Sequence, residues 1–501
     1  MAFGFGRRKM SDQPERRLVI ISNRLPVILE RTGSQWSIRP SAGGLVTALA
    51  PVLRDRGGLW IGWPGTEDET DLEEPLAEGA KGAGFDLRAV LLSKEDRDKF
   101  YYGFSNEIIW PLFHDLQALC RFDPEYWAAY QTVNGNYADV VIRNVRKEDY
   151  VWVHDYHLMT LAGELRKRGS EVPLGFFLHI PFPPLDIFMK LPWRFEILQG
   201  LLEYDLIGLQ TLRDRRNFEQ CVSTVIKDVE VHEDGPLVNV RLNNRQVRVG
   251  AFPISIDYNS FAVQAVMREI ADRAWYIHED LPRRHLVLGV DRLDYTKGIP
   301  FKLEAFRNLL TRYPELRERV TLVQVVVPSR EDIPRYQELK MEIEQMVGEI
   351  NGVFTTSGWV PIIYIYRHLN RPELLAYYRT CEIALITPLK DGMNLVAKEY
   401  CACSVEEECV LVLSEFAGAA AQLQKGALLV NPYDVEAMAD AVHKAFNMEK
   451  SERRARMGQL RATIRENDIF RWVDSFLTAA IGKELHDFPP VEDYQPQVRI
   501  E

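Results

Sequence analysis

The sequence predicts an α/β protein of two successive doubly wound domains facing a central cleft, and three observations carry that expectation. A chain of 501 residues exceeds what one ordinary core organises, so two units of roughly 200–250 residues are expected. Short continuous apolar runs alternate with amphipathic stretches, the pattern of mostly parallel strands covered on both faces by helices. The alternation then restarts midway, near residues 250–257.

Taken in order, "RLVIIS" from Arg17 reads as a strand and "LVTALAPVLRD" after Gly44 as a helix. "VWVHD", "LAGELRKRG", "LGFFLHIPFPP" and "YDLIGLQ" follow, each bounded by charges, Gly or Pro. Past "VRVGAFPISID", "HLVLGVDRLDY" is a strand, "IPFKLEAFRNLLTRY" a helix and "TLVQVVVPS" a strand. "EDIPRYQELKMEIEQMVGEI" is a helix, and "IALITPL", "CVLVLSEF" and "ALLVNP" are strands. The expected organisation is a tail over 1–16, an N-terminal domain over 17–252, a C-terminal domain over 253–480 and a tail over 481–501. The last helix is free to pack back on the N-terminal domain. The stretch between Arg24 and Gly43 is long enough to form a mobile flap.

Composition narrows the partners. A net charge of −11 argues against general nucleic-acid binding, which selects basic faces, so any anionic ligand must meet basic residues gathered locally. The six cysteines (120, 221, 381, 401, 403 and 409) form no CxxC pair and read as reduced thiols of a cytoplasmic protein rather than a zinc site. No apolar run approaches the roughly 18–20 residues of a membrane span. The opening "MAFGFGRRKMSDQPERR" lacks the apolar stretch of a secretory signal. Association of identical copies is left open.

In doubly wound sheets ligands bind beyond the carboxyl ends of the strands, so the residues just after each apolar run carry the functional signal. They are Ser22-Asn23-Arg24, His154-Asp155, His179, Asp291-Arg292, Ser329-Arg330 and Asp391-Gly392. "SAGGL" opens a helix with the Gly43-Gly44 pair, whose amides can meet an anion closely, although glycines also serve plain turns. Arg292 and Lys297 at one strand exit can neutralise a diphosphate without metal; the bland alternative is a surface pairing with Asp291 or Asp294. His154, Asp155 and His157 look metal-like, but no second cluster converges on them by spacing. In "DGMNLVAKEY", the Asp391-Gly392 turn precedes a helix from about Asn394, whose first amides suit an anion. Lys398 is read as helix surface.

"SNRLPV", "SAGGL", "GLWIGWPG", "YYGFSN", "WPLFH", "HDYHL", "FFLHIPFP", "DRLDYTKG" and "DGMNLVAKEY", in this order, resemble the trehalose-6-phosphate synthases, retaining GT-B glycosyltransferases, over roughly residues 17–480. The resemblance implies UDP-glucose as glucosyl donor and glucose 6-phosphate as acceptor, with no cofactor and no metal required. It implies that Arg24, Tyr101, Trp110 and Arg330 hold the acceptor phosphate, that Asp155 binds acceptor hydroxyls and that Trp63 lies near that pocket. Donor contacts are implied for Gly43, Gly44, Arg292, Lys297, Gly392, Met393, Asn394, Leu395, Val396 and Glu399. His179 and Asp391 are implied to hold hydroxyls of the transferred glucose, and Glu399 the ribose. Asp155, His179, Arg292, Lys297 and Asp391 are thus the expected catalytic set. Ser255 stands where many of the family carry glycine. Nothing after residue 480 reads as a second catalytic domain.

Three rival readings stay open on sequence. A sibling transferase would use another nucleotide donor or another phosphorylated acceptor, such as glycerol 3-phosphate or a pseudo-sugar, since few contacts decide acceptor choice. A non-catalytic sugar-phosphate sensor would have lost leaving-group residues, whereas Arg292, Lys297, Asp391 and Glu399 are present. A metal-dependent hydrolase would lose activity on chelation.

Overall fold

The computed structural model describes residues 16–32, 35–40, 44–66, 72–281, 284–482 and 490–496. Two sheets organise the chain. The first has nine strands in the spatial order Asp86–Ala89, Leu59–Trp63, Leu18–Arg24, Tyr150–His154, Leu174–Phe177, Leu206–Leu209, Arg245–Ala251, Leu237–Leu242 and Val229–Asp234. Its first seven are parallel; Leu237–Leu242 runs antiparallel to both of its neighbours. The second sheet is wholly parallel: Ile362–Tyr366, Val320–Val327, His285–Arg292, Ile383–Ile386, Val410–Ser414 and Leu428–Val430. In chain order its strands run 3-2-1-4-5-6, the dinucleotide-fold order, and the first six of the other sheet repeat it.

The continuous apolar runs follow from burial on both faces. Leu18 and Ile20 enter one core while Val19 and Ile21, pointing the other way, enter a second. Each predicted run in the second half lies on an observed element: the Ile299–Arg312 and Pro334–Phe354 helices and the strands around them. Sequence reading passed over the two antiparallel strands 229–242, whose hairpin carries few apolar residues on its outer edge.

Between Arg24 and Gly43, where a flap was expected, Val27–Thr32 and Gln35–Pro40 pair as an antiparallel hairpin. It is tied to the first sheet by the Leu29 amide donating to Pro64 O at 2.9 Å.

The Ile469–Ile481 helix crosses back to the first sheet. Phe476 stacks on Trp152 at 4.2 Å between centroids, and Trp472 Nε1–H donates to Phe252 O at 3.1 Å. Gly208 makes room for it, since a Cβ there would stand 2.8 Å from the Phe476 ring. Residues 490–496, read as tail, bridge the halves: Asp493 pairs with Arg216 at 2.8 Å and accepts from Gln424 through its carbonyl at 2.9 Å, while Tyr494 bonds Glu415. The six cysteines are free thiols. Among the described residues no helix is long and apolar enough to cross a membrane.

Candidate active site

Both sheets reverse their strand order once, and their switch points face each other. In the first sheet the switch lies between Leu18–Arg24 and Tyr150–His154, so Arg24 and Asp155 leave it side by side. In the second it lies between His285–Arg292 and Ile383–Ile386, the strands that deliver Arg292 and Asp391. A crevice at a switch point is where such folds bind ligands; here two crevices make one cleft.

The aromatic segment "RDKFYYGFSNEII" forms a π-helix over Arg97–Ile109. Such wide turns are rare and gather at functional sites. It holds Tyr101 against His157, rings 5.7 Å apart and 11° from parallel. Arg24 lies over both Trp63, at 4.8 Å, and Tyr101, at 5.5 Å. Trp63 is itself anchored by Nε1–H donating to Thr66 O at 2.9 Å. Trp110 follows the π-helix, takes Arg330 on its face at 4.2 Å and Arg292 at 5.5 Å, and directs Nε1–H to Asp294 at 3.4 Å. Burial pushes the Tyr101 hydroxyl up, but the charges of Arg330, Arg24 and Arg292 outweigh it and bring the group below its usual value. Three arginines from two halves therefore converge on one phenol.

Arg330 has a left-handed backbone, φ 52°, which is costly for a bulky residue and held only where surroundings demand it. Its guanidinium donates to Tyr336 at 2.6 Å and to Tyr156 at 3.3 Å. Asp294 is the buried counter-charge, 3.6 Å from Arg330 and 3.8 Å from Arg292, and it accepts from the Thr296 amide and hydroxyl. Burial raises its carboxyl, and Arg330, Arg292 and Lys297 more than offset that, holding it ionised.

Lys297 reaches Asp391 at 2.5 Å, and Asn394 donates to the same carboxylate oxygen at 3.2 Å. Against burial, Lys297 holds Asp391 below the usual carboxylate range. Asn394, also left-handed at φ 83°, caps the Leu395–Cys403 helix by accepting from the Ala397 amide. The Leu395 and Val396 amides at that terminus have no carbonyl within the helix to bond, and Met393 is buried beneath them. Gly392 passes so close to the other half that a Cβ would stand 2.2 Å from His179 O. Only glycine permits that approach.

Asp155 has φ 77° and accepts from the His179 amide at 3.3 Å. Burial pushes its carboxyl up to about 6, opposed by the amides of Tyr156 and His179 and by Arg292 and Arg330. His179 meets His154 ring to ring, Nε2 to Nδ1 at 3.1 Å, and burial pushes it down to about 3. The apparent metal motif is thereby split: His154 faces His179, Asp155 the His179 amide, and His157 the Tyr101 ring. Among the described residues no group of three or more His, Cys, Asp or Glu side chains is placed to hold a metal ion.

One alternative is narrowed and one expectation changes. Of the two partners the bland alternative gave Arg292, Asp294 lies 3.8 Å away, whereas Asp291 turns inward to a fully buried Lys302. Lys398 is not helix surface: it is buried, its ammonium donating to Ile254 O and Gln422 Oε1, each at 2.7 Å. Burial pushes it down to about 7 from 10.5. Between those values the unfolded chain holds the proton that the folded one has released, so stability rises with pH across that window, by up to about 1.4 kcal/mol per unit. Below about 7 both states are protonated and the slope vanishes. Lys398→Met is expected to flatten the rise in denaturant unfolding across that window; an unaltered slope rejects this source.

Glu399, the next residue of the same helix, accepts from Tyr378 at 2.9 Å, and burial raises its carboxyl. It lies outside the stacked cluster. Gly44 opens the Gly44–Arg56 helix; Gly43 lies outside the described residues. Sequence reasoning passed over Tyr156, Tyr336 and the counter-charge role of Asp294. Their one signal was position: Tyr156 and Asp294 sit within quoted strand exits. It also missed two ties across the cleft, Tyr102 to Asp332 at 3.0 Å and Asp115 to Lys390.

The glycosyltransferase family 20 model matches residues 16–481. A trehalose-6-phosphate synthase of Mycobacterium avium is 43% identical over 490 residues, 96% of this chain and 98% of that protein. An α,α-trehalose-phosphate synthase (UDP-forming) from Burkholderia xenovorans, solved in complex with glucose 6-phosphate, superposes with a TM-score of 0.84 at 34% identity, covering 93% of this chain and 100% of that one. An E. coli structure described as trehalose-6-phosphate bound with UDP-2-fluoro glucose gives 0.82 at 36% identity, covering 93% and 98%.

Proposed function

The chain belongs to glycosyltransferase family 20, and on that premise we propose that it transfers glucose from UDP-glucose to glucose 6-phosphate, giving α,α-trehalose 6-phosphate and UDP with retained configuration. The observation that carries this reading is the convergence of Arg24 and Arg330, from opposite halves, on Tyr101 and Trp110. A cationic, aromatic-walled pocket that needs both halves suits a phosphorylated acceptor, because a phosphate dianion offers oxygens to guanidinium groups on two sides.

In this reading Arg24, Arg330 and Tyr101 take the acceptor phosphate, with Trp110 as the surface that fixes Arg330 and Trp63 the one that fixes Arg24. Asp155 takes acceptor hydroxyls. Arg292 and Lys297 neutralise the departing diphosphate, assisted by the amides of Leu395, Val396 and Gly44. Asp391 orients Lys297 and, with His179, holds the transferred glucose; Glu399 takes the ribose. In this reading no metal is needed, because Lys297 and Arg292 supply the positive charge.

The carboxylates at the cleft have other duties in this reading: Asp391 binds Lys297 and Asp294 neutralises arginines, and Asp155 is assigned to acceptor hydroxyls. The acceptor hydroxyl therefore attacks the anomeric carbon on the face the diphosphate leaves. The new C–O bond forms as the old one breaks, and the hydroxyl proton passes to a departing phosphate oxygen. The protein contributes position and charge stabilisation. The free thiols support a reducing, cytoplasmic setting.

The test is product analysis on the full chain with both sugars and EDTA present. An α,α-linked disaccharide phosphate with stoichiometric UDP release is expected. No product, or product only with added metal, overturns the proposal as written.

A further inference from the structure

His154 is fully buried beside the cleft and has no task in the reaction proposed above. Its Nδ1 lies 3.1 Å from His179 Nε2, with ring centroids 5.3 Å apart. Among the described residues its other nitrogen, Nε2, is buried without a hydrogen-bond partner. The ring is flanked by Trp152 at 4.7 Å, Phe177 at 6.4 Å and Trp472 at 6.5 Å, and among the described residues no acceptor meets Nε2.

Two neutral imidazoles that share one N···N axis must place one proton on it. Burial keeps both neutral, pushing His179 down to about 3 and His154 well below its usual value. Suppose His154 Nδ1–H is the donor. His154 then leaves only a bare lone pair at Nε2, and His179, whose Nε2 accepts, carries its proton on Nδ1. Suppose instead that His179 Nε2–H donates. His154 must then bury an N–H at Nε2 among aromatic rings with nothing to receive it. An orphaned buried donor is rarer and costs more than a bare acceptor. The first arrangement wins.

We infer that His154 is a positioning residue that sets the tautomer of His179, so that His179 offers Nδ1–H as a donor to an oxygen of the transferred sugar. The inference rests on the reading of His179 as a contact to that sugar. It means the site demands a hydrogen-bond acceptor at that oxygen. It also gives the first histidine of the "VHDYH" motif its reason: a residue that looked like a metal ligand holds one proton in place.

The test uses the full-length protein labelled with ¹⁵N-histidine. Long-range ¹H–¹⁵N correlation of the free enzyme is expected to show His179 as the Nδ1–H tautomer, and His154→Phe to move it to Nε2–H or to a mixture. In steady-state kinetics His154→Phe is expected to lower kcat about 10–100-fold, by analogy with the loss of partners that orient metal-ligating histidines. His154→Asn, whose amide can donate from the same place, should recover most of that loss while both variants keep the wild-type circular dichroism spectrum. His179 found as Nε2–H in the wild type overturns the inference. So does a His154→Phe enzyme with changed tautomer and unchanged kcat, or one whose loss His154→Asn does not relieve. The spectrum is recorded without substrate, so failure of the proton assignment is told apart from failure of the proposed reaction, which shows as absence of product from the wild type.

Discussion

Lys297→Ala is expected to lower turnover about 10²–10³-fold, the magnitude typical of losing one group aimed at developing charge, while the KM for glucose 6-phosphate changes little. The ammonium is mostly buried and held 2.5 Å from Asp391, so it is already in place when the diphosphate departs and no reorganisation is needed at that moment. Binding of the acceptor phosphate is assigned to other cations, Arg24 and Arg330, which the substitution leaves untouched. A second readout separates this role from general damage. Lys297 is what holds the Asp391 carboxyl below its usual range against burial. Without it burial prevails, the carboxyl takes a proton at higher pH, and the acid limb of the rate profile moves upward. In the wild type that protonation lies below the ordinary carboxylate value of 3.8. Wild-type turnover in Lys297→Ala, or an acid limb that stays where it was, refutes the assignment.

Arg330→Lys is expected to raise the KM for glucose 6-phosphate about 100-fold, with a smaller fall in kcat and little loss of stability. The charge is kept, so the effect isolates geometry. The guanidinium carbon sits 4.2 Å from the Trp110 ring centroid while the group donates to Tyr336 and Tyr156, leaving part of its fork for a phosphate. An ammonium has no flat face and no fork. Hydrogen bonds to charged groups contribute roughly 1.5–3 kcal/mol each, which brackets that factor. Arg24→Lys is the internal comparison: Arg24 is half-buried and, among the described residues, held by the ring faces of Trp63 and Tyr101, so its cost should be smaller. Isothermal titration with glucose 6-phosphate and initial rates give both numbers. A KM within threefold of wild type for Arg330→Lys rejects Arg330 as a principal acceptor contact.

Much of the site was legible because strand exits are legible. Arg24, Asp155, Arg292 and Asp391 each stand where a continuous apolar run meets a polar residue, and the parallel sheets place those ends on one side. Burial of charge was not. Lys398 was read as helix surface, yet it is interior, on Ile254 O and Gln422, and Lys302 is buried likewise, on Asp291. A long side chain marks no face by itself; its partner decides, and the partner is far along the chain. The π-helix at Arg97–Ile109 was hidden for a related reason, since its aromatic residues read equally well as core of an ordinary helix.

The sequence by itself determined the two alternating halves, the strand ends that bear polar residues and the family motifs that name the chemistry, because each is written in neighbours along the chain. The tertiary structure alone decided that both halves turn their switch points to one cleft, that Arg330 meets Tyr156 across 174 residues and Trp110 meets Asp294 across 184. It also decided which nitrogen of His154 is left without a partner among the described residues. Local periodicity specifies which face of an element is apolar; the partner that covers that face, and the charge that balances a buried one, are set only when distant segments pack together.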